Sequence, residues 1–383
     1  MTVSGPLDGV TVLDLTRILA GPYCTMMLGE LGARIIKVEP PNGGDDARQF
    51  GPFLNKKSAY FSSLNRGKES IVLDLKQAAD QETFRGLLER SDVLVENYRA
   101  GTMEKLGFGW EDLHPHFPKL IYAATSGFGH TGPYAHRPAY DMVAQAMGGI
   151  MSLTGHPGSP PTRVGTSIGD ITAGLFTVIG VNAALLHRER TGEGMKVDVS
   201  MLDSQVAILE NAISRYVVTE EVPGPLGARH PSIAPFGAFK AADDHLILAA
   251  ANNELYSRLC QGLARPDLCE DPRFHDNPSR IENVETLKTE IESTLATRKR
   301  DDWLAIFEEK GVPCSRINNV ADVLNDPQIS ARNMVIEIDD PEIGALRAPG
   351  NPIKLSTFPD AKRRKSAPNL DADRDRILHE LKK

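Results

Sequence analysis

Among the side chains whose type and setting suit chemistry, Asp170 stands first. It ends Thr166-Ser167-Ile168-Gly169-Asp170 and precedes a small-residue-rich apolar stretch from Ile171 to Leu186. A carboxylate at the mouth of a helix meets unpaired backbone N–H groups and the positive end of the helix dipole. That setting predicts an ionised side chain, oriented for nucleophilic attack on an acyl group. Taken alone, the same placement also fits a plain N-cap, the commonest use of Asp ahead of a helix. The 4 cysteines, Cys24, Cys260, Cys269 and Cys314, show no metal-like pairing and no histidine partners nearby in sequence. No zinc site and no disulfide framework are expected from them, and a reducing compartment is the default.

Composition narrows the field of functions. With 383 residues and 41% hydrophobic content, the chain is long enough for two domains with real cores, or for one large domain with an insertion. A formal net charge of −8 argues against nucleic-acid binding, which needs a basic surface. The basic run Lys362-Arg363-Arg364-Lys365 lies in a polar tail and reads as a solvated face. The N-terminus lacks a basic segment followed by an apolar one, and no stretch approaches the ~18 uninterrupted apolar residues of a spanning helix. A soluble, cytoplasmic protein without membrane contact is expected.

The elements that would position Asp170 follow from periodicity. Val10–Leu15, Arg34–Glu39, Ser70–Leu75, Val93–Tyr98 and Lys119–Thr125 are short, mostly β-branched apolar runs. Helical patterns such as Tyr23–Leu31 and Asp80–Ser91 lie between them. This βαβ rhythm predicts a doubly wound, mainly parallel sheet of Rossmann-like type whose ligands gather beyond the carboxyl ends of its strands. Ala20-Gly21-Pro22 stands where a dinucleotide fingerprint would follow the first strand, so that fingerprint is absent. Tyr140–Gly149 and Ile171–Arg190 read as helices, Val197–Val199 as a strand, and Leu202–Val217 as further helix. The Pro- and Gly-rich passage from Val222 to Pro231 suggests a linker. Beyond it lie a strand pair, Gly237–Lys240 and His245–Ala250, helices to about Lys310, and strand-like sequence from Asn333 to Pro352. The division expected is an α/β domain of residues 1–203 with 335–383, a smaller α+β domain of residues 226–320, and linkers at 204–225 and 321–334.

Several segments taken together resemble the class III CoA-transferases, the CaiB/BaiF family. They are Pro6-Leu7-Asp8-Gly9-Val10, Asp14-Leu15-Thr16-Arg17-Ile18-Leu19-Ala20-Gly21-Pro22, Leu31-Gly32-Ala33-Arg34-Ile35-Ile36-Lys37-Val38-Glu39-Pro40, Asn65-Arg66-Gly67-Lys68, Glu96-Asn97-Tyr98, Gly127-Phe128-Gly129-His130-Thr131-Gly132-Pro133 and Arg190-Thr191-Gly192-Glu193-Gly194. The resemblance covers nearly the whole chain, to about Pro359. It implies that Asp170 is the nucleophile, passing through acyl anhydride and aspartyl-CoA thioester intermediates. It also implies CoA contacts from Arg17, Ile18, Leu19 and Ala20, from Leu73 and Lys76 beside the adenine, and from Asn97, Tyr98 and Lys105 around the pantetheine and phosphates. Met201 would lie near the thiol, and Arg137 near a phosphate or the acceptor carboxylate. On residue type alone, Lys76 and Lys105 read as ordinary surface lysines, and the resemblance brings the CoA-binding reading level with that one.

For the acceptor the resemblance suggests Tyr60, Tyr140 and Asp141 at the pocket, with Arg229 and His230 binding a distal carboxylate. Tyr140 also reads as a buried aromatic, and Arg229 and His230 as polar linker residues. The related α-methylacyl-CoA racemases carry His and Glu where this chain has Tyr140 and Asn252, and neither substitute moves an α-proton between two bases. Racemase or epimerase activity is therefore the disfavoured alternative, and a CoA-binding regulatory protein a further one, opposed by the retained Asp170. Similarity around Arg229–Phe236 and Ala250–Asn253 points to succinyl-CoA as donor and a glutarate-type dicarboxylate as acceptor. The acyl-CoA is then a substrate, with no tightly bound cofactor and no metal. The family fold implies a homodimer of interlocked ring-like chains. Pro368-Asn369-Leu370-Asp371-Ala372-Asp373 departs from the family's usual ending and leaves the contacts of that loop open.

Overall fold

A computed structural model describes residues 5–383, which form two compact units. The first comprises the chain up to Met151, Arg163–Glu221 and Pro327–Lys383; the second comprises Ser152–Thr162 and Val222–Asp326. Ser152–Thr162, inside the stretch expected to be continuous with the large domain, belongs to the second unit, where Gly227 N–H donates to Gly155 O at 2.7 Å.

The first unit is built on a six-stranded sheet in the spatial order Glu69–Val72, Arg34–Glu39, Thr11–Asp14, Val93–Glu96, Ile121–Ser126, Lys196–Ser200. Every pairing in it is parallel, with Thr11 opposite Arg34 and Val12 opposite Val93. Numbered by their sequence, its strands run 3-2-1-4-5-6, the order of a dinucleotide-binding sheet. Strands covered on both faces need apolar, β-branched runs rather than alternation. Val93–Glu96 and Ile121–Ser126 are buried at every residue, and Arg34–Glu39 at all but its first. The 24-residue helix Ile168–Thr191 packs on the sheet and on the helix Ala20–Glu30, and it ends at Gly192, whose φ of 80° is the left-handed conformation of a helix stop. By length and composition alone this helix would suffice to cross a membrane, although half of its most apolar stretch is buried inside the protein. The criterion of uninterrupted apolar residues misses it because Gly, Thr and Asn interrupt the run without adding charge.

Several features differ from expectation. In the run Lys362–Lys365, Lys362, Arg363 and Lys365 are exposed as expected of a solvated face, but the segment is not an irregular tail. Arg363–Lys365 forms a strand parallel to Val335–Asp340, which also pairs antiparallel with Gly344–Pro349. Arg364 reaches inward to Glu30 at 2.8 Å and to Asp360 at 3.2 Å. The atypical ending has a structural role. Asp373 and Asp371 accept from the backbone N–H groups of Ser70 and Val72 at 2.9 and 2.7 Å, and Arg374 donates to Val72 O at 2.6 Å. The helix Arg374–Leu381 then buries Ile377 in the core. Together they seal the outer edge of the sheet, where unpaired backbone groups would otherwise template association.

The second unit has its own core. Its antiparallel strands Phe236–Lys240, His245–Ala249 and Cys314–Arg316, with His245–Ala249 in the centre, pack Leu246, Leu248 and Phe239 against Tyr256, Leu259, Ile291, Trp303 and Phe307. All 4 cysteines are free.

Candidate active site

In an open parallel sheet a crevice forms where neighbouring strands send their connections in opposite directions. Here that point lies between Thr11–Asp14 and Val93–Glu96. A cleft of about 510 Å³ opens there, lined by Arg17, Ile18, Leu19, Ala20, Asn97, Tyr98, Arg99 and Thr102, by Thr125, Ser126 and Gly127, by Ala135, Arg137, Ala139 and Tyr140, and by Asp170 and Met201. The two loops at the switch point are clamped together. Arg17 N–H donates to Asn97 Oδ1 at 2.8 Å, and Asn97 Nδ2 donates to Arg17 O at 2.8 Å. Three guanidinium groups, from Arg17, Arg99 and Arg137, share the walls with apolar Ile18, Leu19, Ala20 and Met201. Arg137 stacks over Tyr134 at 4.7 Å and Phe128 at 5.5 Å. Guanidinium groups suit phosphates and carboxylates, and apolar walls suit an acyl or pantetheine chain.

Asp170 does not cap its helix. The helix starts at Ile168, with Ser167 as N-cap, so Asp170 sits in the first turn. Neither is it held in the ordinary ionised state that the helix terminus alone predicts. Burial, followed by the charge of Asp141, pushes its carboxyl up to about 7. Asp141, only 7% exposed, accepts from Gly169 N–H at 2.8 Å and from Gln145 Nε2 at 2.7 Å. Gln145 Oε1 in turn accepts from Val164 N–H at 2.9 Å. A second carboxylate group is thus fixed beside Asp170 by hydrogen bonds. Tyr60 belongs to the same electrostatic neighbourhood: burial, then the charges of Asp170, Asp45 and Asp141, push its hydroxyl up to about 12.

Buried charges underlie the cleft. Burial opposes the ionised form of Asp14, but Lys37 and Lys68 outweigh it and hold the carboxyl well below its usual range. Lys68 Nζ donates to Asp14 Oδ2 at 2.8 Å. Glu96, at the end of its strand, accepts from Tyr98 N–H at 2.7 Å, and burial pushes it up to about 8. His130 Nε2 lies 3.5 Å from it. Burial and Lys196 push that imidazole down, so burial disfavours the charged form of both groups. Among the described residues, no group of three or more His, Cys, Asp or Glu is arranged to hold a metal.

Arg17, Ile18, Leu19, Ala20, Asn97, Tyr98, Arg137, Tyr140, Asp170 and Met201, singled out in the sequence, meet in one cleft. Tyr140 is 71% exposed there, which removes the buried-aromatic alternative. Leu73, Lys76 and Lys105 are not among the cleft's lining residues: Leu73 is buried in the core, and the two lysines are exposed. Arg229 and His230 belong to the second unit. Arg229 lines a hollow of about 370 Å³ there with His156, Phe236 and Lys288, and His230 lies against Phe236 with ring centroids 5.3 Å apart. Asn252, at the position of the racemase acid, caps the helix Asn253–Leu263 by accepting from Leu255 N–H at 2.8 Å. Sequence reasoning missed Arg99, Thr102, Thr125 and Ser126. Their signal was their position at or just beyond the carboxyl ends of two strands predicted to flank the ligand.

Comparison with known proteins agrees with this fold. The profile described as CoA-transferase family III matches residues 7–374. The chain is 46% identical over 368 residues to an acetyl-CoA:oxalate CoA-transferase of Acetobacter aceti, spanning 96% of this chain and 93% of that protein. It is 39% identical to a succinyl-CoA:glutarate CoA-transferase of Mus musculus, spanning 92% of this chain and 81% of that protein. The crystal structure of a CaiB/BaiF family protein from Brucella suis superimposes with a TM-score of 0.86 at 39% identity, covering 99% of this chain and 100% of the other. A parallel sheet with its cleft at the switch point, a buried carboxyl group at that cleft and a profile spanning nearly every residue lead to one assignment: the chain belongs to CoA-transferase family III.

Proposed function

We propose that this protein moves CoA from an acyl-CoA donor, succinyl-CoA in our reading, to a small dicarboxylic acid, with Asp170 as the covalent nucleophile. The observation that carries the reading is a raised, half-buried carboxylate opening into a cleft with apolar and guanidinium walls. An Asp170 oxygen attacks the acyl-CoA carbonyl, the C–S bond breaks, and a mixed anhydride and CoA thiolate result. The thiolate attacks the aspartyl carbonyl, releasing the donor's carboxylate and leaving an aspartyl thioester. The acceptor carboxylate attacks that thioester, and the released thiolate then takes the acceptor's acyl group from the new anhydride. Four acyl exchanges conserve the energy of the thioester, and the carboxylate of Asp170 is regenerated. A carboxyl near 7 is a stronger base than an ordinary Asp and remains substantially ionised at neutral pH.

The dicarboxylate acceptor is supported by the names of the relatives, whose acceptors are oxalate and glutarate, and by the guanidinium groups at the cleft. CoA enters as substrate, with no resident cofactor and no metal, and we place the reaction in the cytoplasm. Assembly as an interlocked homodimer is supported by the face that the helix Ile168–Thr191 leaves open, where Leu175, Phe176, Ile179 and Leu186 are exposed. Sedimentation at micromolar concentration tests it.

The activity is tested by incubating the protein with succinyl-CoA and mapping adducts by peptide mass spectrometry, with hydroxylamine as the trap. Oxalate, glutarate and mesaconate are then scored for new thioesters. An adduct on the Asp170 peptide and a thioester of one of these acids are the expected results. No adduct, with deuterium exchange at the α-carbon of a branched acyl-CoA, would overturn the transferase reading in favour of a racemase.

A further inference from the structure

The loop Arg17–Ala20 lines the cleft, yet its second residue has an unusual backbone: Ile18 has a φ of 69°. For a β-branched residue the left-handed region is a true outlier, and it persists only where the surroundings over-determine it. Here they do, on both sides of the residue. Asn97 holds the N–H and the carbonyl of Arg17. Ile18 N–H itself donates to Asp45 Oδ1 at 3.0 Å, and Lys37 Nζ donates to Thr16 O at 2.7 Å. Asp45 and Lys37 are paired at 3.0 Å, with side chains 1% and 0% exposed.

We propose that Asp45 is a positioning residue for the reaction, holding Ile18 left-handed so that the Arg17–Ala20 rim meets the CoA portion of the substrate. The inference rests on the acyl-CoA reading of the cleft. Asp45 also caps the short turn Asp46–Gln49 by accepting from Ala47 N–H at 2.9 Å. A cap needs only that contact. The same oxygen reaches Ile18, 27 residues earlier in the chain, and the other oxygen fixes the lysine that holds Thr16. A glycine at position 18 would adopt this conformation freely, but it would lack the apolar side chain that stands in the cleft beside Leu19 and Ala20. The chain thus keeps that surface in a conformation only its neighbours enforce.

The test uses the full chain. Free CoA binding is read by calorimetry, KM and kcat with succinyl-CoA and the accepted acid, and stability by thermal melting. Asp45→Ala is expected to raise the Kd for CoA and the KM for acyl-CoA about tenfold, the scale of one lost hydrogen bond to a charged group, with kcat changed far less. Asp45→Asn retains an acceptor and should raise both by less. Ile18→Gly should melt above Ile18→Ala, because only glycine is free of the left-handed penalty, and in the Asp45→Ala background it should recover part of the lost CoA affinity, short of wild type because the apolar side chain is gone. A fall in kcat at unchanged KM would reflect a smaller folded fraction and overturn the proposal. So would an Ile18→Ala protein melting at or above Ile18→Gly. If Asp45→Ala does not fold, the double variant decides: recovery of folding and CoA binding supports the proposal, and recovery of neither overturns it. Wild-type protein that binds no CoA would refute the acyl-CoA reading itself, and this inference with it.

Discussion

The chemistry of Asp170 is set by what lies around it in space. The helix terminus favours the charged form, but burial and Asp141 win, and the carboxyl rises from its ordinary 3.8 to about 7. The proposed attack requires the carboxylate, so kcat/KM should rise with pH along a limb centred near 7. Asp141→Asn, which removes the like charge while keeping an acceptor for Gly169 N–H, should move that limb to lower pH. A rate flat from about pH 5.5 to 8 would refute this assignment. The same shift has a thermodynamic side. Between pH 3.8 and about 7 the folded protein binds more protons than the unfolded chain, so stability falls as pH rises through that window. Asp170→Asn should therefore raise Tm by a few degrees at about pH 8 and hardly at about pH 3.5, while lowering kcat by at least ~1000-fold. The place of this residue at the cleft was legible in the sequence through its motif, but its raised carboxyl was not. That depends on Asp141, which is 28 residues from Gly169 in sequence and accepts from its N–H. Nor was the backbone of Ile18, because a β-branched side chain argues against the conformation it adopts.

At the scale of elements, the helix Ile168–Thr191 lies close against the helix Ala20–Glu30, whose first residue lines the cleft. Gly174 makes this approach possible: a Cβ there would sit 2.7 Å from Ala20 O, a backbone atom that cannot swing aside. Gly174→Ala should destabilise by about 1–3 kcal/mol, as overpacking does, and should also raise the KM for acyl-CoA by displacing Ala20. Thermal melting and steady-state kinetics check both, and an unchanged KM would show that the rim moves independently of the helix. The parallel strands were legible because central strands must be continuously apolar. Arg34–Glu39 was expected at the bounds observed, and the others within a few residues. The helix Arg374–Leu381 was not, since Ile377 is its only buried residue and the rest of its sequence reads as polar tail. The hairpin Phe53–Leu54 with Lys57–Ser58 is too short to leave a periodic signal.

At the scale of the whole molecule, both the first unit and its cleft depend on segments far apart in sequence. Deleting the residues after Pro368 would remove the acceptors for the N–H groups of Ser70 and Val72, so the truncated protein should aggregate while a full-length control stays soluble. Light scattering distinguishes them, and a monodisperse truncated protein would refute this role for the tail. The sealed edge also imposes an order on biosynthesis. All six strands of the central sheet lie between Thr11 and Ser200, so the ribosome delivers them well before Asp371 and Asp373 emerge. Through the translation of the second half of the chain, the nascent sheet carries an open flank. Its completion waits until Asp371, Asp373 and Arg374 have emerged, and that interval is when holding by a chaperone would matter most.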